Sequence, residues 1–155
     1  MIVNAANQRM LGGGGVDGAI HSAAGPTLYE ACSKIPEING VRCPFGEARI
    51  TPAGNLPCKF VIHTVGPIYQ QADNPPAVLA RAYENSIQLA RDHNCTSMAF
   101  PAISCGIYGY PAQEAAGIAL RICNQTVFSE MEFYFYLFSQ EMLAIWQGVA
   151  DSMDC

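Results

Sequence analysis

Asn4-Ala5-Ala6-Asn7, followed by Gly12-Gly13-Gly14-Gly15-Val16-Asp17-Gly18, is the stretch that decides how this chain reads. A short apolar strand ends, four glycines follow, and a helical pattern opens. Glycine admits positive φ and lets backbone N–H groups meet a ligand with no Cβ in the way. The helix N-terminus adds a positive dipole end that favours phosphate. Consecutive glycines cost about 0.5–1 kcal/mol each against alanine wherever alanine would fit. That cost argues for a ligand loop over a mere connection. Residues 13–18 also satisfy G-x-G-x-x-G, a weak pattern alone. A dinucleotide site of that type wants an acid about 20 residues on, ending a second strand. Glu37 stands at that distance but follows a helix, so that reading is set aside.

A second loop, Ser104-Cys105-Gly106-Ile107-Tyr108-Gly109-Tyr110, repeats the arrangement. It follows a strand-like segment at 97–103 and precedes Pro111, a residue suited to the first position of a helix running to 128. In open α/β sheets, ligands bind beyond the carboxyl ends of strands. Two such loops on neighbouring strands predict a cradle for a diphosphate.

Further strands are predicted at 2–5, 48–51, 60–65 and 132–138, from short runs of β-branched and aromatic residues. Helices are predicted at 16–24, 27–35, 76–93 and from Ser139, as N-cap, to about 150. In the third of these, Leu79, Ala82, Tyr83, Ser86, Ile87 and Ala90 fall at i, i+3, i+4 spacing. Alternating strands and helices predict the α/β class: a three-layer α/β/α sandwich around a mixed, largely parallel sheet. At 155 residues the chain reads as one domain, 1–155.

Composition narrows the function. Half the residues are apolar, which excludes a disordered chain. The net charge of −5 gives no basic face for nucleic acid. The dense apolar run at 133–138 is far too short to span a bilayer. Seven cysteines show no Cys-x-x-Cys spacing, and no basic leader precedes an apolar stretch. A reducing cytoplasm is expected. His21, His63 and His93 lie far apart with no ligand spacing, so neither metal nor cofactor is expected.

The run from Val3 through Asn7, with Leu11 through His21, resembles the signature of macro domains of the MacroD type. Cys43-Pro44, Gly46-Glu47-Ala48, His63-Thr64-Val65-Gly66-Pro67 and Phe100-Pro101-Ala102-Ile103-Ser104 extend the likeness over residues 2–145. That subgroup includes bacterial O-acetyl-ADP-ribose deacetylases. The resemblance implies binding of ADP-ribose or O-acetyl-ADP-ribose and hydrolysis of esters on the terminal ribose. Mono-ADP-ribose on acidic side chains of protein partners falls under the same chemistry. The alternative is a reader that binds ADP-ribose without turnover.

By the same resemblance, Asp17 is the catalytic acid/base and Asn7 its partner on the terminal ribose. Gly13, Gly14, Gly15 and Val16 line the ribose and phosphate, with His21 on the same helix face as Asp17. Ser104, Cys105, Gly106, Ile107, Tyr108 and Gly109 form the diphosphate loop, and Phe138 lies at the adenosine end. Each residue also has a plainer role. Asp17 suits helix N–H groups, Asn7 suits a turn that bonds its own backbone, and His63 suits the core. Tyr108 and Phe138 suit the core as well. Cys105, close before a helix, is a candidate for a lowered thiol pKa. The family usually carries Thr at that position. It also begins with one or two further strands and a Gly-Asp-Ile-type motif holding the adenine amine. A chain opening at Met1-Ile2-Val3 therefore reads as short at its N-terminus, with an exposed sheet edge.

Overall fold

The computed structural model describes residues 1–153. Cys155, one of the seven cysteines, lies outside the described residues. Five strands form one sheet: β1 (Ile2–Ala5), β2 (Ala48–Pro52), β3 (Phe60–Thr64), β4 (Ser97–Phe100) and β5 (Glu132–Phe135). Their order is β2-β3-β1-β4-β5. β3, β1, β4 and β5 run parallel, and β2 pairs antiparallel with β3. The sheet is therefore mixed and largely parallel, as the alternation of elements predicts. β1 is flanked on both sides, so the open edges belong to β2 and β5 and not to the first strand.

Side-chain alternation along the strands sorts the helices into two layers. Ile62 joins Val3, Met98 and Phe100 under α3 (Pro75–Asp92), α4 (Ala112–Cys123) and α5 (Gln140–Met153). Its neighbour Val61 faces the other way. It packs with Ala6 and Met10 under α1 (Gly15–Ala24) and α2 (Pro26–Ser33). The six α3 positions picked from the periodicity are the buried ones. Ser139 caps α5, its Oγ accepting from Met142 N at 3.1 Å.

Three predicted spans end three or more residues early. β4 stops at Phe100 because Pro101 has no N–H to continue the ladder. β5 stops at Phe135, its last neighbouring bond running from Tyr136 N to Phe100 O at 3.0 Å. Pro111 is the N-cap and not the first helical residue, because its ψ of 126° is extended. The helix after it ends at Cys123, and extended Gln125 separates it from a short 3-10 turn at Thr126–Phe128.

His63 lies fully buried on β3. Its Nδ1 is 3.2 Å from Asn4 Nδ2 and its Nε2 is 2.9 Å from Thr51 Oγ1. Burial, helped by nearby His21, depresses its pKa to about 3. The unfolded chain takes up this proton near pH 6.5 and the folded chain only near 3. Acid in that window therefore favours unfolding, by about 1.4 kcal/mol per pH unit for one proton. Urea unfolding from pH 7 to 4 should show this loss, and His63→Asn should flatten it. Equal slopes in both proteins would show that His63 is not its source.

Candidate functional site

The carboxyl ends of the four parallel strands all open on one side of the sheet. Three of the loops leaving them hold the candidate residues. After β1, Asn7 organises its own loop. Its Oδ1 accepts from Arg9 N at 3.1 Å and Met10 N at 3.2 Å, and its Nδ2 donates to Gly12 O at 3.2 Å. Gly12 and Gly15 take φ of +97° and +57°, conformations that a side chain would strain. The chain then enters α1 with no side-chain cap.

Asp17 stands in the first turn of α1 but turns inward, with only 4 % exposure. Its Oδ1 accepts from Asn4 Nδ2 at 2.8 Å. His21 Nε2, one helical turn on, lies 3.5 Å from the same oxygen. Burial raises the Asp17 pKa above the usual carboxylate value, while the Asn4 bond and His21 pull it down. The other oxygen reaches Gly13, where a Cβ would stand 3.2 Å from Asp17 Oδ2 and 3.3 Å from Asn7 Nδ2. The two side chains thus converge over one glycine.

After β4, the second loop is braced from the β3 side. Ser104, at φ +66°, donates from Oγ to Pro67 O at 2.8 Å. Tyr69 N donates to Tyr108 O at 2.9 Å, and Tyr110 N closes the loop onto Ser104 O at 2.9 Å. Among the described residues, the N–H groups of Gly106, Ile107 and Tyr108 take no protein partner. Tyr108 packs against the core cluster that holds Ala6 and Met10, and the Asp17 charge adds to the burial that raises its phenol pKa. The two loops therefore meet at Tyr108 and Asp17.

Some candidates stand apart. Ile107 and Phe138 are almost bare, at 98 % and 73 % exposure, and Val16 is exposed. Cys105 reverses its expectation. It sits seven residues before the start of α4, outside any helix terminus, and burial raises its pKa to about 11. It is a thiol, not a thiolate, at neutral pH. Three residues outside the candidate set shape the site: Asn4, His63 and Gly66. A buried amide inside strand β1 leaves no periodic signal, but the Gly66-Pro67 pair just beyond a strand is a readable one.

The family model described as Macro domain matches residues 3–119. This chain belongs to the macro domain family. A macro domain-containing protein of Vibrio parahaemolyticus is 59 % identical over 146 residues, 94 % of this chain and 86 % of that protein. An O-acetyl-ADP-ribose deacetylase of Klebsiella pneumoniae is 52 % identical, covering 98 % of this chain and 89 % of its own. The Oceanobacillus iheyensis macrodomain with ADP superposes with a TM-score of 0.93 at 45 % identity, over 99 % of this chain and 83 % of that one. The Trypanosoma brucei macrodomain in complex with ADP-ribose gives 0.82 at 37 % identity, over 96 % and 62 %.

Glycine at 66 is what lets the loop after β3 of this macro domain approach the loop after β4. A Cβ there would collide with Ser104 Oγ and Ile103 Cγ2. Gly66→Ala should destabilise by about 1–3 kcal/mol, as overpacking does. Gly14, with φ of −91° and nothing within 4 Å of a built Cβ, is the control. Gly14→Ala should stay within about 0.5 kcal/mol of wild type in urea unfolding. Equal stabilities for the two variants would show that Gly66 does not wedge the loop.

Proposed function

We propose that this macro domain binds ADP-ribose across its two glycine loops and hydrolyses acyl esters on the terminal ribose. O-acetyl-ADP-ribose is the small substrate, and mono-ADP-ribosyl glutamate or aspartate on proteins presents the same bond. The observation that carries the reading is Asp17, a buried carboxylate beside two loops of free backbone donors. Phosphate oxygens would accept from the Gly106, Ile107 and Tyr108 N–H groups and from the first turn of α1. With a net charge of −5, attraction for an anion rests on such local donors and not on the overall field.

Asp17 would act as general base. A carboxylate with a raised pKa is better matched to proton abstraction near neutral pH than an ordinary one. Water adds to the acyl carbonyl and its proton passes to Asp17. The ester C–O bond then breaks, and the ribose oxygen regains the proton as the carboxylic acid leaves. Names and bound ligands among the relatives support this reading: one is called a deacetylase, and others carry ADP or ADP-ribose. The six described cysteines are free, in keeping with a reducing compartment.

One observation favours the reader alternative. The Asn7 side chain is already engaged by its own loop, which leaves less of it for a ribose hydroxyl. Asp17→Asn separates the two, because it still accepts from Asn4 but cannot take a proton. Release of acetate from O-acetyl-ADP-ribose should fall at least about a hundredfold. ADP-ribose affinity by calorimetry should change less than about threefold. A wild-type protein that binds without turnover establishes the reader, and unchanged turnover in Asp17→Asn removes Asp17 from the mechanism.

A further inference from the structure

We propose that Asn4 is a positioning residue, an amide that clamps the Asp17 carboxylate and is itself held in one orientation by His63. The inference rests on the reading of Asp17 as the reacting carboxylate. Asn4 is fully buried on the central strand β1. Its Nδ2 carries two hydrogens, and each has an acceptor: Asp17 Oδ1 at 2.8 Å and His63 Nδ1 at 3.2 Å. For His63 to accept at Nδ1, its proton must sit on Nε2, which faces Thr51 Oγ1 at 2.9 Å. One continuous path thus runs from Asp17 through Asn4 and His63 to Thr51, from α1 across β1 and β3 to β2.

The path is directional. Rotating the amide by half a turn would set its oxygen against the carboxylate and against the His63 lone pair, two repulsive contacts. Among the described residues Asn4 Oδ1 has no partner, so the amide is not turned by its own oxygen. Its orientation is dictated by what Nδ2 serves. His63 stays neutral through the physiological range because burial opposes its charging, so the acceptor is constant. The remaining titratable neighbours of Asp17 come from every side. They are His21 on the same helix, Cys32 on α2 and Tyr108 on the second loop. None of these three donates a hydrogen bond to the carboxylate.

Site-resolved carboxyl titration by 13C NMR tests the clamp without depending on turnover. Asn4→Ala removes the donor, so the Asp17 midpoint should move to higher pH. His63→Leu deletes the acceptor that holds the amide and should move it the same way, by less. His63→Asn offers an oxygen near the Nδ1 position and should restore the wild-type midpoint. The acid limb of deacetylation should follow each shift. Loss of one charge-assisted bond corresponds to a roughly tenfold drop in kcat at mildly acid pH, with KM little changed. An unmoved midpoint in Asn4→Ala, or identical midpoints for the two His63 variants, overturns the clamp. A wild type with no deacetylation but shifted midpoints upholds it and sinks the hydrolase reading. Thermal melts of all variants check folding, and the difference between His63→Leu and His63→Asn carries the test if Asn4→Ala does not fold.

Discussion

The site turns on a carboxylate kept out of water. An ionised group in an apolar setting is unfavourable unless hydrogen bonds replace its hydration. Asp17 has 4 % exposure, and among the described residues its side-chain hydrogen bond comes from Asn4, at 2.8 Å. That donor comes from the central strand β1, against which α1 packs. The arrangement also leaves Asn4 Oδ1 without a partner among the described residues. An orphaned buried acceptor costs about 1–3 kcal/mol.

The loops around Asp17 solve a complementary problem. A nucleoside diphosphate needs many donors, and an acidic chain has few cations to spare. In the proposed function, backbone N–H groups would supply them where a loop leaves a parallel strand. β1 and β4 are neighbours in the sheet, so their loops are neighbours at its carboxyl edge. The second loop keeps its N–H groups free because its shape is held elsewhere. Ser104 Oγ bonds Pro67 O, and Tyr108 O takes the Tyr69 N–H. Close approach at Gly66 makes that bracing possible.

Much of this was legible in the sequence. The class of fold followed from strands alternating with helices. The α3 face followed from 3.6-residue spacing, down to each buried position. Both glycine loops were candidates from local chemistry, and Asp17 was a candidate from the family resemblance; its burial appears only in the fold. Strand ends were less legible, because β4 stops at the missing N–H of Pro101 and β5 ends with it. Cys105 misread for a related reason. Nearness to a helix in sequence suggested an electropositive setting, whereas the chain turns at Ser104 and buries the thiol away from any helix end.

By itself, the sequence determined which segments form strands and helices, where glycine must stand, and the family to which the chain belongs. These are local or pattern-level properties, carried by spacing and by residues such as Gly12 and Gly15 that a positive φ requires. Only the tertiary structure decided which side chains form the hydrogen-bonded path leading away from Asp17. Asn4, His63 and Thr51 lie 13, 46 and 34 residues from it along the chain, and three different strands bring them together. Hydrogen-bond partners across a sheet depend on strand order and register, and no periodicity in a single sequence encodes either.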